Sequence, residues 1–213
     1  MKSDTIAEKV YYKFSYFEGN QHIASEYALK AILKLIEDFK VNKILEVGLG
    51  IGAICDTVLE WSKINNKRVT YVGTENNDFC LNALKKNVDD YVKLNIISDL
   101  SEIKNGETFD LIIIDGSDDS LFQVKSMCHK NTIIFIEGGR ELQVDMIKKL
   151  FPKMLFAEMI SDYKFPEYGP FPSDAWCGGG KLLFPYPNFK NRTYHLKEKM
   201  ATFIKRKKRN KEQ

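Results

Sequence analysis

Short apolar runs alternate along this chain with longer segments that carry apolar residues three and four positions apart. Residues 44–47, 69–73, 92–97, 109–114 and 132–136 are mostly apolar, and each run closes on Gly, Asp, Asn, Ser, Thr or Glu. Runs of that length bounded by turn residues predict buried strands. The run Phe109-Asp110-Leu111-Ile112-Ile113-Ile114 is apolar on both faces, as a central parallel strand is. Between the runs, residues 25–39, 54–64, 79–91, 121–128 and 142–150 have helical spacing. Two further strands are predicted at Met154–Ile160 and Gly180–Phe184. No helical pattern lies between them, so they must pair antiparallel. The expected fold class is α/β: a seven-stranded, mostly parallel sheet with a C-terminal antiparallel hairpin and helices on both faces.

The two ends read differently. Ile6–Asn20 is rich in aromatic residues without a clean period and is expected to pack on the body as an arm. Asn191–Gln213 suggests a short helix (Leu196, Met200, Phe203, Ile204) ending in the basic run 205–209, read as a solvated, frayed terminus. The expected organisation is therefore residues 1–40 as arm and helix, 41–188 as the ligand-binding domain and 189–213 as a basic tail.

Candidate chemistry gathers where strands end. Lys43–Ala53 reads as a strand that runs into Gly48, Gly50 and Gly52 and opens into a helix, so backbone passes close to a ligand at a helix N-terminus. Gly48-x-Gly50-x-x-Ala53 fits a loose dinucleotide fingerprint. Glu46 argues against that, because a carboxylate there repels a pyrophosphate and attracts the ammonium of an amino-acid-like ligand. The second strand ends at Glu75-Asn76, where ribose hydroxyls are held in open α/β folds. Asp78 is expected to cap the next helix alone, leaving Glu75 for the ligand. The third strand ends at Ser98-Asp99, and Asp99 reads equally as an adenine contact or a turn residue. The fourth ends at Asp115-Gly116 and the fifth at Glu137-Gly138-Gly139-Arg140.

The segment E-V-G-L-G-I-G resembles the first motif of the class I S-adenosylmethionine-dependent methyltransferases. The resemblance spans about Lys43–Phe184 and also rests on Glu75, Asp99, F-D-L-I-I-I-D-G and the terminal hairpin. It implies S-adenosylmethionine as cofactor, with Glu46, Gly48, Leu49, Gly50 and Gly52 around the methionine part. Glu75 and Asn76 would serve the ribose, Ser98 and Asp99 the adenine, and Asp115 would lie beside them. The I-I-D-G-S segment is similar to that of small-molecule O-methyltransferases, which implies a hydroxyl acceptor. Asp115 and Glu137 are the catalytic candidates, with His22, then His129 and His195, as alternatives. Metal-binding members carry Asp-Asn where this chain has Glu137-Gly138, so no metal is assigned. A nicotinamide-dependent oxidoreductase and a non-catalytic binding protein of the same fold stay open as alternatives.

Composition narrows the classes further. The chain has 213 residues, long enough for one domain with an ample core. Its net charge of +3 is uneven: Lys197–Gln213 carries eight Lys/Arg and two Glu, or +6, which leaves −3 for the rest. No apolar run approaches the length of a membrane span, and the polar start Met1–Asp4 lacks a signal-peptide core. Cys55, Cys80, Cys128 and Cys177 are widely spaced and read as reduced thiols, so a cytoplasmic location is expected. No N-P-P-Y-type or Pro-Cys motif occurs. The expected partner is a small-molecule acceptor, with neither nucleic acid nor membrane, and a homodimer is left open.

Overall fold

The alternation of apolar runs and helical spacing is realised as a twisted open sheet. The computed structural model describes residues 3–212; Met1, Lys2 and Gln213, which close the arm and the tail in the sequence reading, lie outside the described residues. The strands are β1 (Lys43–Val47), β2 (Thr70–Thr74), β3 (Leu94–Ile97), β4 (Phe109–Ile114), β5 (Cys128–Glu137), β6 (Leu155–Ile160) and β7 (Gly179–Phe184). Their order is β3-β2-β1-β4-β5-β7-β6. β1 to β5 pair in parallel, and β7 lies antiparallel between β5 and β6. The order reverses between β1 and β4, and in open α/β sheets ligands bind beyond the carboxyl ends of strands at such a point.

Alternate strand residues feed two cores. Ile44, Leu111, Ile113, Ile133 and Phe135 pack against α1 (Ser3–Phe14), α2 (Glu26–Phe39) and α3 (Ala53–Ile64). Leu45, Val47, Ile112, Ile114, Ile134 and Ile136 pack against Val124 and against Val144 and Ile147 of α5 (Glu141–Leu150). Truncating a fully buried residue such as Ile113 to Ala costs about 2–5 kcal/mol. The helices start where capping chemistry allows: the Ser25 hydroxyl accepts the Ala28 N–H at 3.2 Å at the head of α2.

Several sequence expectations are corrected. The arm is an amphipathic helix that buries Ile6, Ala7, Val10, Tyr11 and Phe14, and exposed Tyr12 and Tyr16 hid its period. Helix α4 (Asp78–Asn87) is capped by Asn77, not Asp78: the Asn77 side chain accepts the Cys80 N–H at 3.1 Å. It also stops at Asn87, short of Tyr91. Residues 121–127 form a 3-10 turn rather than an α-helix, and β5 begins at Cys128 rather than Thr132.

The largest correction concerns the tail. Residues Phe189–Arg209 form one long helix, α6, laid along the outer strand β6. Its buried face is polar: Asn191, Tyr194, Glu198 and Thr202. Alternate carbonyls of β6 accept from it, Phe156 O from His195 Nε2 at 2.9 Å, Glu158 O from Thr202 Oγ1 at 2.5 Å and Ile160 O from Lys205 Nζ at 2.8 Å. An unpaired strand edge has polar groups that need partners, and the helix supplies them. The basic run is likewise engaged, through Arg206 with Glu158, Lys208 with Asp162 at 3.0 Å, and Arg209 Nε with the Ser161 carbonyl at 3.0 Å. Arg209 also lies over the Trp176 ring.

Candidate active site

The turn after β1 and the turn after β4 touch. A Cβ on Gly48 would stand 2.7 Å from the Gly116 Cα, so both positions require glycine for the two backbones to approach. Gly50, at φ +53°, has no atom within 4 Å of the place its Cβ would occupy, so this part of the loop faces open space.

Two cavities flank the loop. One, of about 370 Å³, is lined by Gly48, Thr74, Glu75, Asn76, Ser98 and Asp99, together with residues 117–120. The other, of about 250 Å³, is lined by Leu49, Gly50, His22, Phe79 and Asp115 among others. A third and larger cleft, of about 720 Å³, holds His22, Ser25, Glu137, Arg140, Phe165 and Phe171. His22 lies on both of the latter two. The Ser161–Gly179 connection contributes Phe165 and Phe171, whose rings lie tilted with centroids 4.7 Å apart.

The structure thus gathers most of the sequence candidates, with revisions. Gly52 lines neither cavity; its φ of +105° serves the start of α3. Glu75 is not free. One oxygen accepts the Gly50 N–H at 2.8 Å and the other accepts the N–H groups of Asn76 and Asn77 at 3.0 and 2.9 Å. Asp99 takes the turn role, accepting the Ser101 N–H at 2.6 Å, while it also lines the 370 Å³ cavity. The Ser101 side chain first, and then its backbone N–H, hold the Asp99 carboxyl below the ordinary range. His129 pairs with Asp110 at 3.0 Å, and His195 is bound to β6; neither lines any of these three cavities.

Glu46 is completely buried under the loop. The Tyr71 hydroxyl donates to its Oε2 at 2.5 Å, and its Oε1 has no partner among the described residues. Burial pushes its pKa well up, with the charges of Asp115 and Glu75 adding to the effect and the Tyr71 hydrogen bond opposing it. An unmade hydrogen bond of this kind costs about 1–3 kcal/mol. Burial thus disfavours the charged form of the expected counter-charge, and one of its oxygens is unspent among the described residues.

Asp115 and Glu137 come close enough for each to affect the other's titration, and Glu137 Oε1 accepts the Ser25 N–H at 3.5 Å. Arg140 Nη2 donates to Asp115 Oδ1 at 2.5 Å, and its Nε is buried without a partner among the described residues. Burial raises the pKa of Asp115, and Arg140 draws it back down. Glu137 is pushed up to about 8, first by burial and then by the Asp115 charge. Neighbouring carboxyls of this kind titrate as a pair. No cluster of three or more His, Cys, Asp or Glu fit to hold a metal occurs among the described residues, and a guanidinium faces Asp115 where a cation would be sought. The sequence gives Arg140 no role, and its signal is faint: a charge three residues past Glu137, across two glycines.

No protein-family model matches the chain, and no curated protein matches it. Solved structures do. The chain is similar to the O-methyltransferase from Bacillus cereus solved with SAH, at 14% identity over 84% of this chain and 90% of that one, with a TM-score of 0.58. It is similar to the SAH-bound methyltransferase PaMTH1 of Podospora anserina, at 13% identity over 83% and 86%, TM-score 0.54. A putative O-methyltransferase from Klebsiella pneumoniae follows at 12% identity over 84% and 89%, TM-score 0.53.

The fold is that of the class I methyltransferases. The antiparallel β7 within a parallel sheet is its mark, and it separates this chain from a dinucleotide fold that continues by helix crossovers. Glu46 lines none of the three cavities, while Gly50 opens onto the 250 Å³ one. Glu75, Asn76 and Ser98 line the 370 Å³ cavity. No helix among the described residues is long and apolar enough to cross a membrane.

Proposed function

We propose that the chain is an S-adenosylmethionine-dependent methyltransferase that acts on a hydroxyl of a small-molecule acceptor, with Glu137 as the base. The observation that carries this reading is the Asp115–Glu137–Arg140 cluster. It stands between the glycine-loop cavities and the 720 Å³ cleft, and its Glu137 is poised at about 8. A general base works best with a pKa near the working pH.

Gly48, Leu49 and Gly50 would pack against the methionine part, with the Gly50 N–H released to it from Glu75 and Glu46 beneath the loop. Glu75 would turn from the Gly50 N–H toward ribose hydroxyls, with Asn76, Ser98 and Asp99 around the base. When bound, this cofactor supplies a methyl group already activated on a sulfonium. The chain's own work is to align the acceptor, keep water out and remove one proton. Glu137 in its ionised form accepts the acceptor's hydroxyl proton; Asp115 keeps the carboxyl in place, and Arg140 offsets the second negative charge. The proton leaves through the open side of the cleft.

Calorimetry with S-adenosylhomocysteine and with NAD tests the cofactor. Binding of the first and not the second is expected, with affinity reduced in Glu75→Ala. Binding of NAD alone, or an affinity untouched by that substitution, refutes the reading. Transfer of labelled methyl to a panel of hydroxyl compounds then tests the acceptor class.

A further inference from the structure

Helix α6 turns its polar face to the protein and its apolar face to solvent. Phe189, Leu196, Met200, Phe203 and Ile204 are 83%, 61%, 66%, 59% and 62% exposed. On a helix of 3.6 residues per turn they fall within about 100° of arc and form a stripe roughly 22 Å long. A contiguous exposed apolar strip marks an interaction surface.

Basic residues border the stripe on both sides. Arg192, Lys199 and Arg206 follow one margin, and Lys190, Lys197 and Lys208 the other. The helix carries nine Lys/Arg and one acid, Glu198, which is buried. Arg192, Lys197 and Lys199 make no ion pair among the described residues, in contrast with Arg206 and Lys208. The stripe is also held rigid, because His195, Thr202 and Lys205 anchor the opposite face to β6.

These charges select among occupants. A second copy laid stripe to stripe would set cations against cations in either orientation. A nucleic acid would meet the cations but leave leucine, methionine and isoleucine with nothing to bury against. A lipid surface with anionic headgroups satisfies both parts: the apolar stripe enters the acyl boundary and the margins meet phosphates. We propose that α6 is an in-plane docking element for an anionic membrane surface. The sequence reading expected no membrane partner. The revision comes from the exposure of the stripe, and it is independent of the chemistry assigned to the site.

The test uses the full chain and co-sedimentation with vesicles of phosphatidylcholine alone or with about 30% phosphatidylserine. Binding is expected to the anionic vesicles only, and to weaken as salt is raised. The double substitution Met200→Glu with Phe203→Glu is expected to reduce it by about tenfold or more, since two apolar side chains leave the boundary. The triple substitution Arg192→Gln, Lys197→Gln and Lys199→Gln is expected to reduce it as well, with thermal unfolding unchanged. Should one set fail to fold, the other decides. The proposal is overturned by no sedimentation with anionic vesicles, or by binding that both sets leave intact. It is also overturned if analytical ultracentrifugation shows a dimer that the Glu substitutions dissolve while vesicles stay unbound. Binding of polyuridylate in place of vesicles overturns it too.

Discussion

Two regions of this molecule bury polar groups, and they do so in opposite ways. Along β6, three polar side chains of α6 each find a carbonyl: His195, Thr202 and Lys205 complete backbone groups that the sheet left open, and on that helix only Asn191 Nδ2 is buried without a partner among the described residues. At the rim beyond β1, β4 and β5, the polar groups are left partly unspent. Among the described residues Glu46 Oε1 and Arg140 Nε have no partner, and the Asp115 charge opposes ionisation of Glu137. Paired burial builds scaffold. Unpaired burial costs stability and is retained where a ligand completes it.

The sharpest way to break this contrast is Glu137→Gln. Methyl transfer to a hydroxyl acceptor is expected to fall about 10²–10⁴-fold, with S-adenosylhomocysteine affinity unchanged. Equal loss of both would place Glu137 in cofactor binding instead. The wild-type rate should rise with pH through a midpoint near 8, as Glu137 ionises. Because Arg140 lowers the pKa of both carboxyls, Arg140→Gln should move that midpoint upward. An unmoved midpoint would separate the guanidinium from the pair.

A second prediction concerns the junction of the two turns. Gly48→Ala places a methyl 2.7 Å from the Gly116 Cα at a φ of +87°. It is expected to cost about 1–3 kcal/mol of stability and to abolish S-adenosylhomocysteine binding in calorimetry.

Stability should carry the signature of Glu137 as well. Its carboxyl titrates higher in the folded chain than in the unfolded one, so the folded state holds the extra proton between the two values. Stability is then full below the ordinary carboxylate range and declines as pH rises to about 8. The melting temperature of Glu137→Gln, relative to wild type, should climb over that window, each pKa unit being worth about 1.4 kcal/mol. A flat difference would mean that the pair is not strained by ionisation.

The smallest effect belongs to the scaffold. Thr202→Val removes one hydrogen bond to Glu158 O and is expected to cost about 1 kcal/mol, with ligand affinity untouched. If it altered affinity, the division between the two regions would not hold.

Much of this was legible in the chain itself, and the reasons are local. Strands β1, β4 and β5 are apolar runs with polar stops, so their carboxyl ends, and the residues on them, could be placed in advance. The final hairpin was legible because nothing helical separates its strands. Helix α6 was half legible. Leu196, Met200, Phe203 and Ile204 marked it as helical, yet an apolar stripe ordinarily points inward, and here a strand edge outcompeted it for the polar face. Glu75 and Asp99 were placed correctly on the rim but not with their present partners, because backbone N–H groups within two residues, or across a turn, leave no trace in a side-chain pattern. Arg140 was missed for a related reason: reach across Gly138 and Gly139 depends on a turn that two glycines do not specify.

Arg209 has a consequence of its own. It grips both ends of the connection between β6 and β7, taking the Ser161 carbonyl and hydroxyl at one end and the Cys177 carbonyl at the other. The same connection carries Phe165 and Phe171 into the cleft. The far turn of the last helix therefore acts as a clasp on the connection that bears these two rings. On the function proposed above, substitutions at Arg209 would alter acceptor preference and leave the glycine-loop cavities as they are.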